Sequence, residues 1–361
     1  MMYKILTVLG NRPQFIKAAL LSRKFDEHID FQEVIIHTGQ HFDINMSALF
    51  FDELQIKQPA YNLGIHSLKH SEMVEKITAE LIEILSDENP DLVLVYGDTN
   101  STMAGALAAK MFRVPIAHVE AGVRSFDLTM PEEKNRQWVD RISRLLFAPS
   151  QSAVTNLSNK AYAGDVFFVG DIMKDMAMHF AGESKKPRCF DFSQYVLATI
   201  HRASNTDDSE ILKQIVDALN IINKETPVVV PLHPRTRKAI AKNDLDCYFQ
   251  IIEPVGYLEM LYLLQNATFV ITDSGGLQKE AYYHKKPAIV VRETSEWKEL
   301  VDAGSSLLCQ PVSTANILKN FEKMKVAKPN FTYSFYGDGN TAAIIFSEIQ
   351  EFFLNSKDLL K

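Results

Sequence analysis

DLVLVYGDTNST, residues 91–102, joins a strand, a turn and a helix in twelve positions. Asp91–Tyr96 carries a continuous apolar run, as a strand buried on both faces of a parallel sheet does. Gly97 ends the run, and Asp98 follows it into the turn. Residues 99–112 then read as a helix, with Asp98 or Thr99 as its N-cap. Strand, turn and helix in repeated order imply a parallel sheet with right-handed crossovers.

The same unit recurs on both sides. Tyr3–Leu9 is a β-rich run that Gly10 ends, and Pro13 suits the first turn of a helix reaching about Phe25. Phe31–His37 is a second strand, followed by a loop at residues 38–43. Pro115–Val119, Leu145–Ala148 and Val166–Val169 read as further strands. Around Gly170–Pro187 the texture changes: Met and Lys accumulate and the apolar rhythm fades, which places a link there. A second series follows, with strands at Tyr195–Ile200, Val228–Leu232, Phe249–Ile252, Phe269–Thr272 and Ala288–Val291 and helices between them. The expected division is a first domain over 1–170, a second over 188–340 and a final helix over 341–356, capped by Asn340 or Thr341.

Composition bounds the function. At 361 residues the chain has room for two domains, and 46% hydrophobic with 23% charged residues is ordinary globular usage. A net charge of −7 argues against a general nucleic-acid binder. Cys189, Cys247 and Cys309 are odd in number and lack ligand spacing, so reduced thiols and no zinc site are expected. No apolar run approaches the roughly 18 residues of a membrane span. The start is too short for a signal segment. The expectation is a cytoplasmic protein without a membrane partner.

Open α/β domains take ligands at the carboxyl ends of their strands, and the candidate residues lie there. After Phe269–Thr272 comes DSGGLQKE, residues 273–280. Gly275 and Gly276 let backbone amides approach an anion, the helix start adds its unpaired amides, and Ser274 offers a hydroxyl. Glu280, one turn on, can accept from ribose hydroxyls. The competing reading is an Asp273 N-cap with no ligand. It is neither a GxGxxG nor a GxxxxGK[ST] pattern. Arg12 and Lys17 flank a helix N-terminus, an unfavourable place for cations unless an anion binds there. Asp98 follows the strand ending at Tyr96, and Glu120 follows the strand Pro115–Val119. Glu120 lacks a capping role, although Arg124 or Arg136 could pair with it. Glu132 and Glu133 in PEEKNR (131–136) suit a helix first turn as well as a site. His201 and His233 end two further strands. His37/His41 and His66/His70 have i,i+4 spacing without an acidic partner, which does not make a metal site.

Together these segments resemble a known family. GNRPQFIK (10–17), HTGQH (37–41), YGDTNST (96–102), HVEAGVRS (118–125), MPEEKNR (130–136), HR (201–202), LHPRTR (232–237), EPVGYLEM (253–260), DSGGLQKE (273–280) and YGDG (336–339) resemble the non-hydrolysing UDP-N-acetylglucosamine 2-epimerases nearly end to end. The resemblance implies two Rossmann-like domains in a GT-B-like arrangement, with the active site in the interdomain cleft and the last helix packed on the first domain. It implies interconversion of UDP-GlcNAc and UDP-ManNAc by inversion at C2, a homodimer, and no metal or other cofactor. It carries Asp98, Glu120, Glu132 and His201 over as catalytic residues. Arg12, Lys17, His233, Ser274, Gly275, Gly276 and Glu280 become UDP contacts. Asn11, Gln14-Phe15 and the Thr38-Gly39-Gln40-His41-Phe42-Asp43 loop depart from the better-known members. They resemble a subgroup that includes 2-epimerases of UDP-2,3-diacetamido-glucuronate.

The chemistry suits those residues. Direct loss of the C2 proton is unattractive, whereas elimination of the anomeric UDP gives a glycal, 2-acetamidoglucal, and re-addition from the other face gives the epimer. Either Glu120 or Glu132 acts at C2, with Asp98 setting its protonation. The rivals are a GT-B glycosyltransferase, a hydrolysing epimerase, and a nucleotide-sugar-binding regulator without turnover.

Overall fold

The computed structural model describes residues 2–40, 53–158, 161–188 and 190–358. His41, Phe42, Asp43 and Cys189, all named above, lie outside them. The chain divides into two compact units, one of residues 1–178 with 334–361, the other of residues 179–333.

In the first unit, seven described strands form one parallel sheet. They are β1 (Tyr3–Leu9), β2 (Phe31–His37), β3 (Tyr61–Asn62), β4 (Leu92–Tyr96), β5 (Ile116–Val119), β6 (Leu145–Ala148) and β7 (Asp165–Phe168), in the order β3-β2-β1-β4-β5-β6-β7. Strand order reverses between β1 and β4, which pair from Ile5↔Leu92 to Val8↔Val95. β4 is buried at all five positions, as its uninterrupted apolar sequence requires. Helices α1 (Arg12–Asp26), α2 (His70–Glu88), α3 (Asn100–Phe112), α4 (Pro131–Ile142), α5 (Gln151–Leu157) and α6 (Ile172–His179) flank the sheet strands in sequence. α2 buries Met73, Ile77, Leu81, Ile84 and Leu85 in a core with Val93, Val95 and the alanines of α3.

The boundary between the units, after Met178, falls inside the stretch read as a link, whose first part is helical. In α6 the residues Ile172, Met173, Met176 and Ala177 are buried, so Met173 and Met176 pack in the first unit, while Met178 is exposed at the boundary. The Asp175 carboxylate accepts from the Ala342 amide at 2.7 Å. The last helix, Thr341–Asp358, belongs to this unit. Phe353 stacks on Tyr3 with ring centroids 4.1 Å apart, and Phe346 meets Phe25 and Phe31 edge-on.

In the second unit, six described strands run parallel: β8 (Val196–Thr199), β9 (Val228–Pro231), β10 (Gln250–Ile252), β11 (Phe269–Thr272), β12 (Ala288–Val290) and β13 (Ser306–Leu308), in the order β10-β9-β8-β11-β12-β13. Order reverses between β8 and β11, whose last residues Thr199 and Thr272 face each other with hydroxyls 2.7 Å apart. Helices α7 (Ala203–Thr206), α8 (Ser209–Asn223), α9 (Pro234–Lys242), α10 (Tyr257–Asn266), α11 (Gly275–Tyr283), α12 (Lys298–Asp302) and α13 (Thr314–Val326) complete it. Both folds are the doubly wound α/β type, and each has its crevice where strand order reverses. No helix among the described residues is long and apolar enough to cross a membrane.

Candidate active site

In the first unit the candidate residues gather at the carboxyl ends of β1, β4 and β5. Gly10 closes β1 where a Cβ would collide with the Ser101 and Thr38 side chains, so only glycine permits this approach. Asn11 caps α1 by accepting from the Gln14 amide at 3.2 Å. Arg12 and Pro13 open that helix, and its first turn holds no acid. The buried Gln14 ties the strand ends together. Its Oε1 accepts from the Gly10 amide at 2.8 Å, and its Nε2 donates to the Tyr96 carbonyl at 2.7 Å and to the Thr99 and Thr102 hydroxyls. The residue that departs from the better-known pattern is therefore a structural bridge.

Gly97, at φ +63°, turns the chain out of β4. A Cβ placed there would lie 3.6 Å from Lys17 Nζ and 3.8 Å from Glu120 Oε2. Lys17 and Glu120 form an ion pair over this turn, both side chains largely buried. Lys17, expected at the nucleotide, thus meets a carboxylate of its own unit. Glu120 adopts φ +71°, a left-handed backbone that a side chain makes unfavourable. Asp98 pairs with the buried Arg136, and Asn135 Nδ2 donates to the Asp98 carbonyl at 2.9 Å. Thr99, not Asp98, caps α3, which leaves the Asp98 carboxylate to Arg136.

The arginines considered for Glu120 hold other carboxylates. Arg136 also reaches Glu133 Oε2 at 3.1 Å, and Arg124 donates to Asp140 at 2.6 Å. Glu133 is buried and accepts from the Ser125 amide and hydroxyl and from Gln137. Glu132 stands exposed beside it in the first turn of α4. His118, buried on β5, places Nδ1 2.8 Å from Asp140 Oδ1 and Nε2 2.7 Å from the Gly97 carbonyl. Burial opposes ionisation of Asp140, but His118 and Arg124 hold its carboxyl below the usual range. Gln40 Oε1 accepts from the Ser101 amide and hydroxyl at the start of α3.

In the second unit the residues gather at the ends of β8, β9 and β11. Ser274 caps α11, accepting from the Leu277 amide at 3.3 Å. Asp273 is therefore not the cap. Its buried carboxylate accepts from the His201 and Arg202 amides at 2.9 Å each and from Asn205 Nδ2 at 3.1 Å, and lies 3.0 Å from His201 Nδ1. Burial works against its ionisation, yet the His201 ring and these amides keep it below the usual range. His233 caps α9, and its ring lies 6.0 Å from that of His201. At the start of α11 the amides of Gly275 and Gly276 belong to the first turn, whose N–H groups lack helical partners. Glu280 Oε1 would lie 3.9 Å from a Cβ on Gly276.

Behind this turn stand groups that sequence reading did not single out. Trp297 Nε1 donates to the Gly275 carbonyl at 2.9 Å, and Gln278, held by Ser295, donates to the Ser274 carbonyl at 3.1 Å. Arg292 and Glu296 form a buried bidentate pair with both distances 2.9 Å. Burial raises the Glu296 carboxyl, but Arg292 outweighs it and brings it down to about 2.

Comparison with known proteins is consistent across the chain. A family model described as UDP-N-acetylglucosamine 2-epimerase matches residues 23–350. The UDP-2,3-diacetamido-2,3-dideoxy-D-glucuronate 2-epimerase of Pseudomonas aeruginosa is 49% identical over 84% of this chain and 88% of its own. The crystal structure of Methanocaldococcus jannaschii UDP-GlcNAc 2-epimerase in complex with UDP-GlcNAc and UDP is similar with a TM-score of 0.90 and 37% identity, covering 97% of this chain and 100% of that one. The Neisseria meningitidis enzyme bound to UDP-GlcNAc is similar at 0.86 and 31%, over 96% of this chain and 100% of its own.

Proposed function

Since the chain belongs to the UDP-N-acetylglucosamine 2-epimerase family and is an epimerase, we propose that it interconverts UDP-GlcNAc and UDP-ManNAc without hydrolysis. One observation carries the reading. Asp98 and Glu120 follow adjacent strands around the Gly97 turn, Asp98 held by the buried Arg136 and Glu120 by the largely buried Lys17, and Glu120 has an unfavourable backbone. Among the described left-handed non-glycine residues, Glu120 is the one that follows a strand beside a second candidate carboxylate, and backbone strain tends to cluster at functional sites.

The proposed reaction runs through elimination. A carboxylate, Glu120 or Glu132, takes the C2 proton. The C2–H pair becomes the C1–C2 double bond, and the C1–O pair leaves with UDP. Protonation at C2 from the opposite face and return of UDP to C1 complete the inversion. Asp98 governs the protonation of the acting carboxylate, and His201 supports the departing diphosphate. Ser274, Gly275, Gly276, Arg12, Lys17 and His233 are the proposed contacts of the nucleotide, with Glu280 on the ribose hydroxyls. Amides and hydroxyls fixed in advance on a leaving anion stabilise it without reorganisation. We place the enzyme in the cytoplasm as a homodimer whose product serves polysaccharide biosynthesis.

A second reading, epimerisation of UDP-2,3-diacetamido-2,3-dideoxy-glucuronate, is favoured by the 49% identity to the Pseudomonas aeruginosa enzyme. One experiment tests both. Each UDP-sugar is incubated alone with wild type and with Glu120→Gln. The expected result is a UDP-linked 2-epimer without free UDP, from the preferred substrate, and a turnover at least ~100-fold lower in the variant. Wild-type turnover in Glu120→Gln would remove that residue from the mechanism. Release of UDP without a UDP-linked epimer would point to a hydrolase or a transferase.

A further inference from the structure

We propose that His118, oriented by Asp140, is a positioning residue that locks the turns carrying Asp98 and Glu120 into one arrangement. The inference rests on the assignment of those two carboxylates above. His118 sits two residues before Glu120 on β5, fully buried. Its Nε2 crosses to the neighbouring strand end and meets the Gly97 carbonyl at 2.7 Å. Gly97 has a left-handed backbone, and Asp98 is the next residue. On the other side of the ring, Nδ1 meets Asp140 Oδ1 at 2.8 Å. The second oxygen of Asp140 accepts from the Gly122 amide at 3.2 Å, just beyond Glu120. One side-chain pair therefore grips the chain on both sides of Glu120 and immediately before Asp98.

Both ring nitrogens are taken up by protein oxygens and the ring is fully buried, so neither nitrogen is open to a substrate. That excludes direct acid–base work and leaves geometry. Asp140 is itself fixed, by Arg124, whose Nη2 also donates to the Tyr162 hydroxyl at 3.0 Å. Asp140 also shares α4 with Asn135 and Arg136, the two residues that hold Asp98. The placement of Asp98 is thus determined from one helix through its carbonyl, its carboxylate and the turn before it.

The test is a double-mutant cycle on the full-length enzyme, using His118→Asn, Asp98→Asn and their combination. Turnover, KM and the melting temperature are read on each. The expected result for His118→Asn is a fall in kcat of about 100-fold with KM changed less than threefold, the scale of loss when a reacting group is displaced by about 1 Å. In the Asp98→Asn background the same substitution lowers kcat by at most about tenfold, because the part of its effect that passes through Asp98 is already lost and only the part through Glu120 remains. Wild-type kcat in folded His118→Asn, or equal losses in both backgrounds, overturns the proposal. If His118→Asn does not fold, Asp140→Asn replaces it in the same cycle with the same expectations. Full activity in Asp98→Asn would instead sink the catalytic assignment of Asp98, and the cycle is then read against Glu120→Gln.

Discussion

Glu120 and Glu33 show how differently one residue type is used in a single unit. Glu120 keeps a cation against it and a left-handed backbone that costs on the order of 1–3 kcal/mol. Glu33 on β2 is buried, accepts from the Thr7 hydroxyl at 2.5 Å, and leaves its Oε2 without a partner among the described residues. Burial pushes its carboxyl up from 4.5 to about 7. The folded state therefore binds a proton that the unfolded chain has released. Stability contributed by that proton is complete below pH 4.5 and is lost as pH rises through about 7, after which it stays level. The loss amounts to about 3 kcal/mol at most. In urea unfolding at pH 5 and pH 7.5, wild type is expected to weaken more than Glu33→Gln between the two pH values. Equal losses in both proteins would show that Glu33 does not hold the proton.

At the scale of elements, both sheets reverse order beside the strands that end in candidate residues, β1 and β4 in one, β8 and β11 in the other. The final helix fixes the back of the first unit through two aromatic anchors. Phe346, 6% exposed between Phe25 and Phe31, is the clearer one. Phe346→Ala should cost ~3–5 kcal/mol of unfolding free energy, measurable by denaturant titration. A cost below ~1 kcal/mol would mean the helix is not anchored there. The strands were legible because parallel strands buried on both faces read as unbroken apolar runs, β4 and β11 above all. The helix His70–Glu88 was not placed, although Met73, Ile77, Leu81, Ile84 and Leu85 recur at helical spacing. Exposed charged residues such as Glu72, Glu75, Lys76, Glu80 and Glu83 alternate with that face along the chain, so the stretch lacks the unbroken apolar run by which the strands are read. The unit boundary does fall within residues 170–187, but the helical spacing of the α6 methionines resembles a loss of pattern and hides the helix that leads up to it.

Side-chain partnerships were the least legible part. Asp273 looked like a cap because Asp-Ser-Gly-Gly starts a helix, and only the fold brings residues 201–205 to it. Lys17 finds Glu120 across 103 positions, and no local pattern encodes that. The position of each candidate along the chain was readable from strand ends. Its partner depended on which strands became neighbours.

Across the whole molecule, each unit carries a different part of the proposed chemistry. The first holds carboxylates steadied by cations, and the second holds a helix start with glycine amides and a serine cap. Net charge is −7, so attraction for an anionic substrate must come from local groups rather than from the overall field. The central claim is that the C2–H bond breaks and reforms with solvent hydrogen. Proton NMR of UDP-GlcNAc with the enzyme in D₂O tests it most directly. The account predicts that the C2 proton signal disappears from both epimers while the C1 and C3 protons persist. Formation of the epimer with ordinary hydrogen retained at C2 would contradict it.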